Sequence, residues 1–265
     1  MNAQSFVDGL KLPDLETNAR ALGIKPRNFG PLLMDEAPPA DKPTASLVAG
    51  QITAFTAGLF GQDKQDVLYT ALAAQLNSDV IIPPANQKTV QGMKDWFDNY
   101  STVMSNFGWT RQAANWEKYD AGGAGFTVDK VILEVLAAVA SENGAAIAKA
   151  AIDAISKLPQ GDDRVKLFQN STLGDSTGKF LLGVCSKEKE SIALAFGAFA
   201  MDFQTRDTTV IWFNWKSSNV NIYKDQKAST FNQAYYASSV RKALEARLAG
   251  HADTYVTTLP LGPGI

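Results

Sequence analysis

The 265-residue sequence predicts an α/β fold in three layers: helices, a central antiparallel sheet, then helices again. Three observations predict it. The residues Val128, Val131, Ile132, Val135, Leu136 and Val139 follow helical spacing, and Ile147, Ala151, Ile152, Ile155 and Leu158 follow it again after Asn143–Gly144. From about residue 164 the period changes to that of strands separated by short polar turns, which implies antiparallel pairing. The run 192–203 is apolar toward both faces, with Ile192, Leu194 and Phe196 one way and Phe199, Met201 and Phe203 the other. A sheet apolar on both faces must be covered on both sides, and helical hairpins are available to cover it.

The remaining elements follow in chain order. Residues 1–45 hold Pro13, Pro26, Pro31, Pro38, Pro39 and Pro43, which predicts an extended N-terminal arm or wrapping loop. A single domain is expected over 46–250, and a Pro/Gly-containing C-terminal tail over 251–265. Leu47, Ile52, Phe55 and Leu59 suggest a helix ending at Gly61. Val67, Leu68, Ala71, Leu72 and Leu76 suggest a second, capped by Asp63, so that the two form a helical hairpin. A third helix over 90–103 carries Met93, Trp96, Phe97 and Tyr100. Residues 106–119 read as a short strand or irregular segment. Gly122, Gly123 and Gly125 read as a hinge, because a phosphate-binding loop needs a preceding strand and a Lys-Ser/Thr ending. Strands are expected at 164–169, 179–185, 191–203, 208–216 and 220–224, with turns at 205–207 and 217–219. A final helix spans 240–248.

Composition narrows the function classes. Charged residues are 20 % and the net charge is −2, with no Lys/Arg cluster of the kind that binds nucleic acid, so no nucleic-acid partner is expected. One Cys excludes a disulfide framework, and one His argues against a His-rich or Cys/His metal site, so no metal is expected. Residues 1–10 lack a basic and then apolar signal pattern, and no apolar run reaches membrane-spanning length. The expectation is a soluble chain, cytoplasmic when made, that leaves the cell, if it does, without a cleaved signal.

This order of elements resembles the Cyt δ-endotoxins, cytolytic proteins of insect-pathogenic bacteria. The string "VDKVILEVLAAVA" resembles that family's helix before its long strands. "KFLLGVC" looks like its cysteine-bearing strand, and "TTVIWFNWKSSNVNIY" like the strand pair near its C-terminus. The likeness spans residues 46–250 in order of elements and leaves the arm and the tail uncovered. The Erwinia virulence factor type of protein shares that fold and resembles this chain in having one notable cysteine, there S-palmitoylated. The resemblance implies a virulence factor or cytolysin acting at membranes or lipids, with oligomers on the membrane possible. In that picture the helical layers swing away from the sheet. The run 192–201 lacks the polar–apolar alternation of a pore-lining strand, which is a departure from it.

Cys185 is the residue whose chemistry matters most. It follows the apolar Lys179–Val184 stretch and precedes a charged run. It is read either as a buried, space-filling thiol or, as the resemblance implies, as the attachment point of a fatty-acyl (palmitoyl) thioester supplied by an acyl donor. In the second case Leu181, Val184, Phe196 and Phe199 would line the acyl slot, and the protein would be a lipid carrier or a thioester acyltransferase. A base is available on paper in His251, with Asp253 two residues on; Lys187, Glu188 or a tyrosine are alternatives. Trp212, Phe213, Trp215, Tyr223, Tyr235 and Tyr236 are either sheet core or contacts to lipid headgroups.

Overall fold

The computed structural model describes residues 2–25, 42–110, 112–120, 125–189, 191–203, 220–259 and 261–262. It is the predicted three-layer α-β-α sandwich, built on one seven-stranded sheet. The strands are β1 (Thr44–Val48), β2 (Gln51–Phe55), β3 (Glu117–Lys118), β4 (Thr177–Glu188), β5 (Ser191–Phe203), β6 (Val220–Phe231) and β7 (Val256–Leu259). Their spatial order is β3-β6-β5-β4-β2-β1-β7.

β4, β5 and β6 form a meander whose register runs unbroken from Thr177↔Asp202 to Glu188↔Ser191 and from Ile192↔Phe231 to Phe203↔Val220. Antiparallel pairing holds throughout except at one joint, where β2 lies parallel to β4 and Phe55 stands beside Cys185. The sheet is therefore mixed rather than wholly antiparallel.

One helical layer contains α3 (Gly61–Ile81) and α4 (Val90–Asn106), joined by a 3-10 turn (Pro84–Gln87). The other contains α5 (Val128–Ala137) and α6 (Glu142–Ser156), which pack on β2, β4 and β5. Ser141 caps α6 by accepting from the Gly144 amide, and Thr89 caps α4 by accepting from that of Gly92. Behind α3 lie α8 (Gln233–Ser239) and α9 (Arg241–Leu248), with α1 (Ala3–Asp8) against α9. This outer cover explains why α3 is buried on nearly every side, from Val67 through Ser78.

Four sequence expectations are corrected. Residues 46–59 are not a helix; they form the β1–β2 hairpin, whose turn places Ala49 at φ 47°. The first helical hairpin is instead α3 with α4. Residues 164–169 are not a strand; they lie in α7 (Asp163–Thr172), where the Asp162 carboxylate accepts from the Arg164 amide and starts the helix. The arm is not wholly extended: α1 and α2 (Leu15–Ala21) lie in it, and Val7, Leu10 and Ala19 are buried. The helix expected over 240–248 is α9 (Arg241–Leu248), but the chain does not end in a plain tail: residues 251–265 supply α10 (His251–Tyr255) and the edge strand β7. The strand expected at 208–216, the turns at 205–207 and 217–219, and Trp212, Phe213, Trp215, Gly122 and Gly123 lie outside the described residues.

Candidate functional site

Side chains alternate between the two faces of a strand, and that alternation divides the residues expected around Cys185. On β4, Lys179, Leu181, Gly183 and Cys185 share the face under α3 and α4. The Lys179 ammonium lies 3.9 Å from the Trp96 ring of α4, which fixes this assignment. Phe180, Leu182 and Val184 take the other face. There a Cβ built on Gly144 of α6 would fall 3.0 Å from Val184 Cγ1. On β5, Leu194 and Phe196 stand opposite Cys185 and Gly183 on the α4 face. Phe199 stands opposite Phe180 on the α5–α6 face. The structure thus sets Leu181, Phe196 and Cys185 on one face of the sheet and Val184 and Phe199 on the other.

The Cys185 thiol is wholly buried. Burial pushes its pKa far above the ordinary range of a thiol, because an apolar interior disfavours the charged thiolate. Its strand is anchored on both sides: its carbonyl accepts from the Thr56 amide at 2.9 Å, and it is paired with Leu194.

The sequence reading missed the polar groups that lie under α4 near the thiol. Tyr100 OH donates to Gln51 Oε1 at 2.9 Å, and Gln51 Nε2 donates to Thr53 Oγ1 at 2.9 Å. Gln51 and Thr53 sit on β2 beside Leu181 and Gly183. The Tyr100 hydroxyl is raised well above its usual range by burial first, and then by the Cys185 thiol. Lys64 of α3 is 3 % exposed, with its ammonium 5.9 Å from the ring of Phe55, which neighbours Cys185 in register. Burial lowers the Lys64 pKa. The signal for this group was the alternation Gln51, Thr53, Phe55 against Ile52, Ala54, and it was hidden because the segment read as a helix.

Beside Leu194 and Phe196 a narrow slot runs between α4 and the sheet, bounded by Tyr100, Met104 and Trp109, with Lys227 at its rim. Its free volume is about 20 Å³, room for about one water molecule. An acyl chain enters it only if α4 moves. Lys227 is itself buried, paired with Asp225 at 2.9 Å and donating to the Gln112 carbonyl at 3.2 Å.

The other expected participants are placed elsewhere. His251 opens α10, with Nε2 3.1 Å from the Pro13 carbonyl, and its buried Nδ1 has no partner among the described residues. It stands at the β7 side of the sheet, with β1 and β2 between β7 and β4, so His251 and Cys185 are not brought together. Lys187 Nζ is held by Asp63 Oδ2 and Gln233 Oε1, each at 3.3 Å. Glu188 is exposed at the end of β4. Tyr236 is buried, Tyr223 is half-buried under the Lys94 ammonium, and Tyr235 is 37 % exposed, the most open of the three.

Among the described residues no group of His, Cys, Asp and Glu could hold a metal ion. No helix among them is long and apolar enough to cross a membrane.

No family model and no curated protein matches the chain. Among solved structures it is similar to one described as "Structure of the Evf virulence factor", with 13 % identity, 92 % of this chain and 90 % of that chain covered, and a TM-score of 0.38.

Proposed function

We propose that the protein acts at membranes or lipids through the β4–β5–β6 meander. The observation that carries this reading is strand length. The three adjacent antiparallel strands have 12, 13 and 12 residues, whereas about 9–11 residues span a bilayer as a tilted strand and the mean strand of a globular protein has about 5–6. β6 also alternates buried and exposed positions along much of its length, as a strand with one wet face does. In this reading the α5–α6 layer leaves the sheet and lipid takes its place against Leu182, Val184 and Phe199.

The test pins that layer. Cysteines replacing Gly144 and Val184 lie within disulfide reach, and a Cys185→Ala background keeps the pairing unique. The reduced double variant should release dye from phosphatidylcholine or phosphatidylcholine–phosphatidylglycerol vesicles, and the oxidised one should not. Absence of release by wild type and by the reduced variant would sink the membrane reading. Equal release by both forms would show that α6 need not move.

A second reading is a lipid-carrying protein or acyltransferase that uses a fatty-acyl thioester on Cys185. It is favoured by the position of the thiol on the face that holds Leu194, Phe196 and the α4 slot. The thiolate would attack the carbonyl carbon of an acyl-CoA, and the coenzyme A thiolate would leave. Incubation with palmitoyl-CoA should then add one hydroxylamine-sensitive acyl mass to wild type and none to Cys185→Ser. No added mass on wild type would remove this reading.

A further inference from the structure

Lys179 lies six residues before Cys185 on β4, about 20 Å away along the strand. It stands in the wall of a second feature, a cleft of about 560 Å³ at the other end of the sheet. That volume is in the general range of small-molecule sites, roughly 300–1,000 Å³. The cleft opens between the C-terminal end of α3, the 3-10 turn, the α7–β4 connection and α10.

Its organising group is Asp79, on the last turn of α3. Three donors converge on one oxygen: Trp96 Nε1 at 2.8 Å, Lys179 Nζ at 3.3 Å and Gln87 Nε2 at 3.4 Å reach Asp79 Oδ1. The carboxylate is therefore fixed in rotation. Among the described residues no donor reaches Oδ2. The Lys179 side chain is 10 % exposed and that of Asp79 36 %, so the carboxylate is the member of the pair that faces the opening. In the same wall Ser171 has a buried hydroxyl oxygen with no partner among the described residues. Apolar surface comes from Leu22, Leu76, Pro84 and Met93.

The charges select the ligand. Asp79 and Asp175 are balanced in the lining by Lys88 and Lys179. A cation approaching Oδ2 meets a carboxylate already neutralised by Lys179, with that ammonium close behind it. An anion meets the free oxygen itself. A hydroxyl meets neither cost: it donates a charge-assisted hydrogen bond to Oδ2, while a ring's C–H face lies on the apolar wall.

We propose that this cleft binds an uncharged, hydroxyl-rich ring of the sugar type, with Asp79 Oδ2 accepting from one of its hydroxyls. The proposal is independent of the membrane reading above. A free saccharide and a glycolipid headgroup offer the same chemistry.

The experiment uses the full chain and ligand-observed NMR with methyl α-glucoside, methyl α-mannoside, methyl β-galactoside and N-acetylglucosamine. Choline and inorganic phosphate serve as cationic and anionic probes. A parallel arm measures sedimentation with phosphatidylcholine vesicles with or without monoglucosyl diacylglycerol. Two variants are compared with wild type: Asp79→Asn, which turns the free acceptor into a donor or breaks its anchor, and Ala85→Trp, which fills the cleft from an exposed position on its rim.

At least one saccharide probe or the glycolipid vesicle should bind wild type. Affinity should fall about tenfold or more in both variants, with the thermal transition of Ala85→Trp unchanged. Binding in the NMR arm indicates a free sugar; binding confined to the glycolipid vesicles indicates the headgroup. Should Asp79→Asn fail to fold, Ala85→Trp decides. No binding in either arm, binding unaffected by Ala85→Trp, or tighter binding of choline or phosphate than of every sugar would each overturn the proposal.

Discussion

Phe180 and Phe199 stack across β4 and β5, 4.7 Å between ring centroids and 14° between ring planes, on the face of the sheet opposite Cys185. Phe168 of α7 meets Phe180 edge-on at 6.4 Å. The pair fills the layer under α5–α6, while the thiol belongs to the layer under α3–α4. The two faces can therefore be perturbed separately. Phe199→Ala removes a fully buried ring and should cost about 3–5 kcal/mol in urea unfolding. Under native conditions Cys185 should remain as slow to alkylate as in wild type. A large rise in alkylation without loss of stability would mean that the layers are not separate.

The α5–α6 layer itself can be tested by charge. Val135 and Ile155 are 2 % and 0 % exposed, and Val135 Cγ1 lies 3.2 Å from where a Cβ on Gly197 of β5 would stand. Either residue changed to Asp buries an unpaired carboxylate and should cost about 3 kcal/mol or more. Unchanged thermal transitions in both variants would refute the packing of this layer.

The second helical hairpin was legible because Val128 to Val139 and Ile147 to Leu158 are amphipathic, with one face on the sheet and one in water. β1 and β2 were not. Both are buried on both faces, and a strand covered on both sides loses its period of two. What remained, Leu47, Ile52, Phe55 and Leu59, matched a helical period by coincidence. In α7 the error ran the other way: Val165 and Leu167 alternate with charged residues, but the Asp162 cap decided for helix. The parallel β2–β4 joint had no local signal at all, since the two strands are over a hundred residues apart. Reading residues 46–59 as a helix also hid the alternation of Gln51 and Thr53 with Ile52 and Ala54, and with it the polar surroundings of Cys185.

Arg241 holds Asp66 with two parallel hydrogen bonds, Nε to Oδ1 at 2.9 Å and Nη2 to Oδ2 at 2.6 Å. The Asp66 side chain is 1 % exposed and receives a further bond from Gln62. This pair fastens α9 to α3, so the outer cover depends on it. Arg241→Ala leaves the carboxylate buried without its countercharge and should cost about 3 kcal/mol, read as a fall in the urea midpoint at unchanged slope. Arg241→Lys supplies charge without the planar fork and should recover only part of the loss. An effect of Arg241→Ala no larger than that of an ordinary surface change would show that Asp66 finds water when the guanidinium is gone.

Cys185 makes the stability of the protein depend on pH in a defined direction. In the unfolded chain its thiol ionises near pH 8.5. In the folded protein burial holds it protonated to far higher pH. Above about pH 8.5 the unfolded state therefore binds fewer protons than the native state, and stability falls as pH rises; below it the contribution is fully present. The buried hydroxyls of Tyr100 and Tyr236, raised chiefly by burial, add the same sign once their unfolded counterparts ionise near pH 10. Lys64 works in the opposite sense, because burial lowers it and its ammonium is disfavoured in the fold at lower pH. The clean quantity is thus the difference between wild type and Cys185→Ala, in which Tyr236 and Lys64 cancel and Tyr100, raised chiefly by burial, contributes only through its smaller interaction with Cys185. Between pH 8 and 10 wild type should lose about 2 kcal/mol more than the variant. Iodoacetamide should label native wild type slowly at pH 8 and promptly in urea. A difference that does not change with pH, together with fast native labelling, would show that the thiol ionises as an exposed one does and that α4 does not seal it.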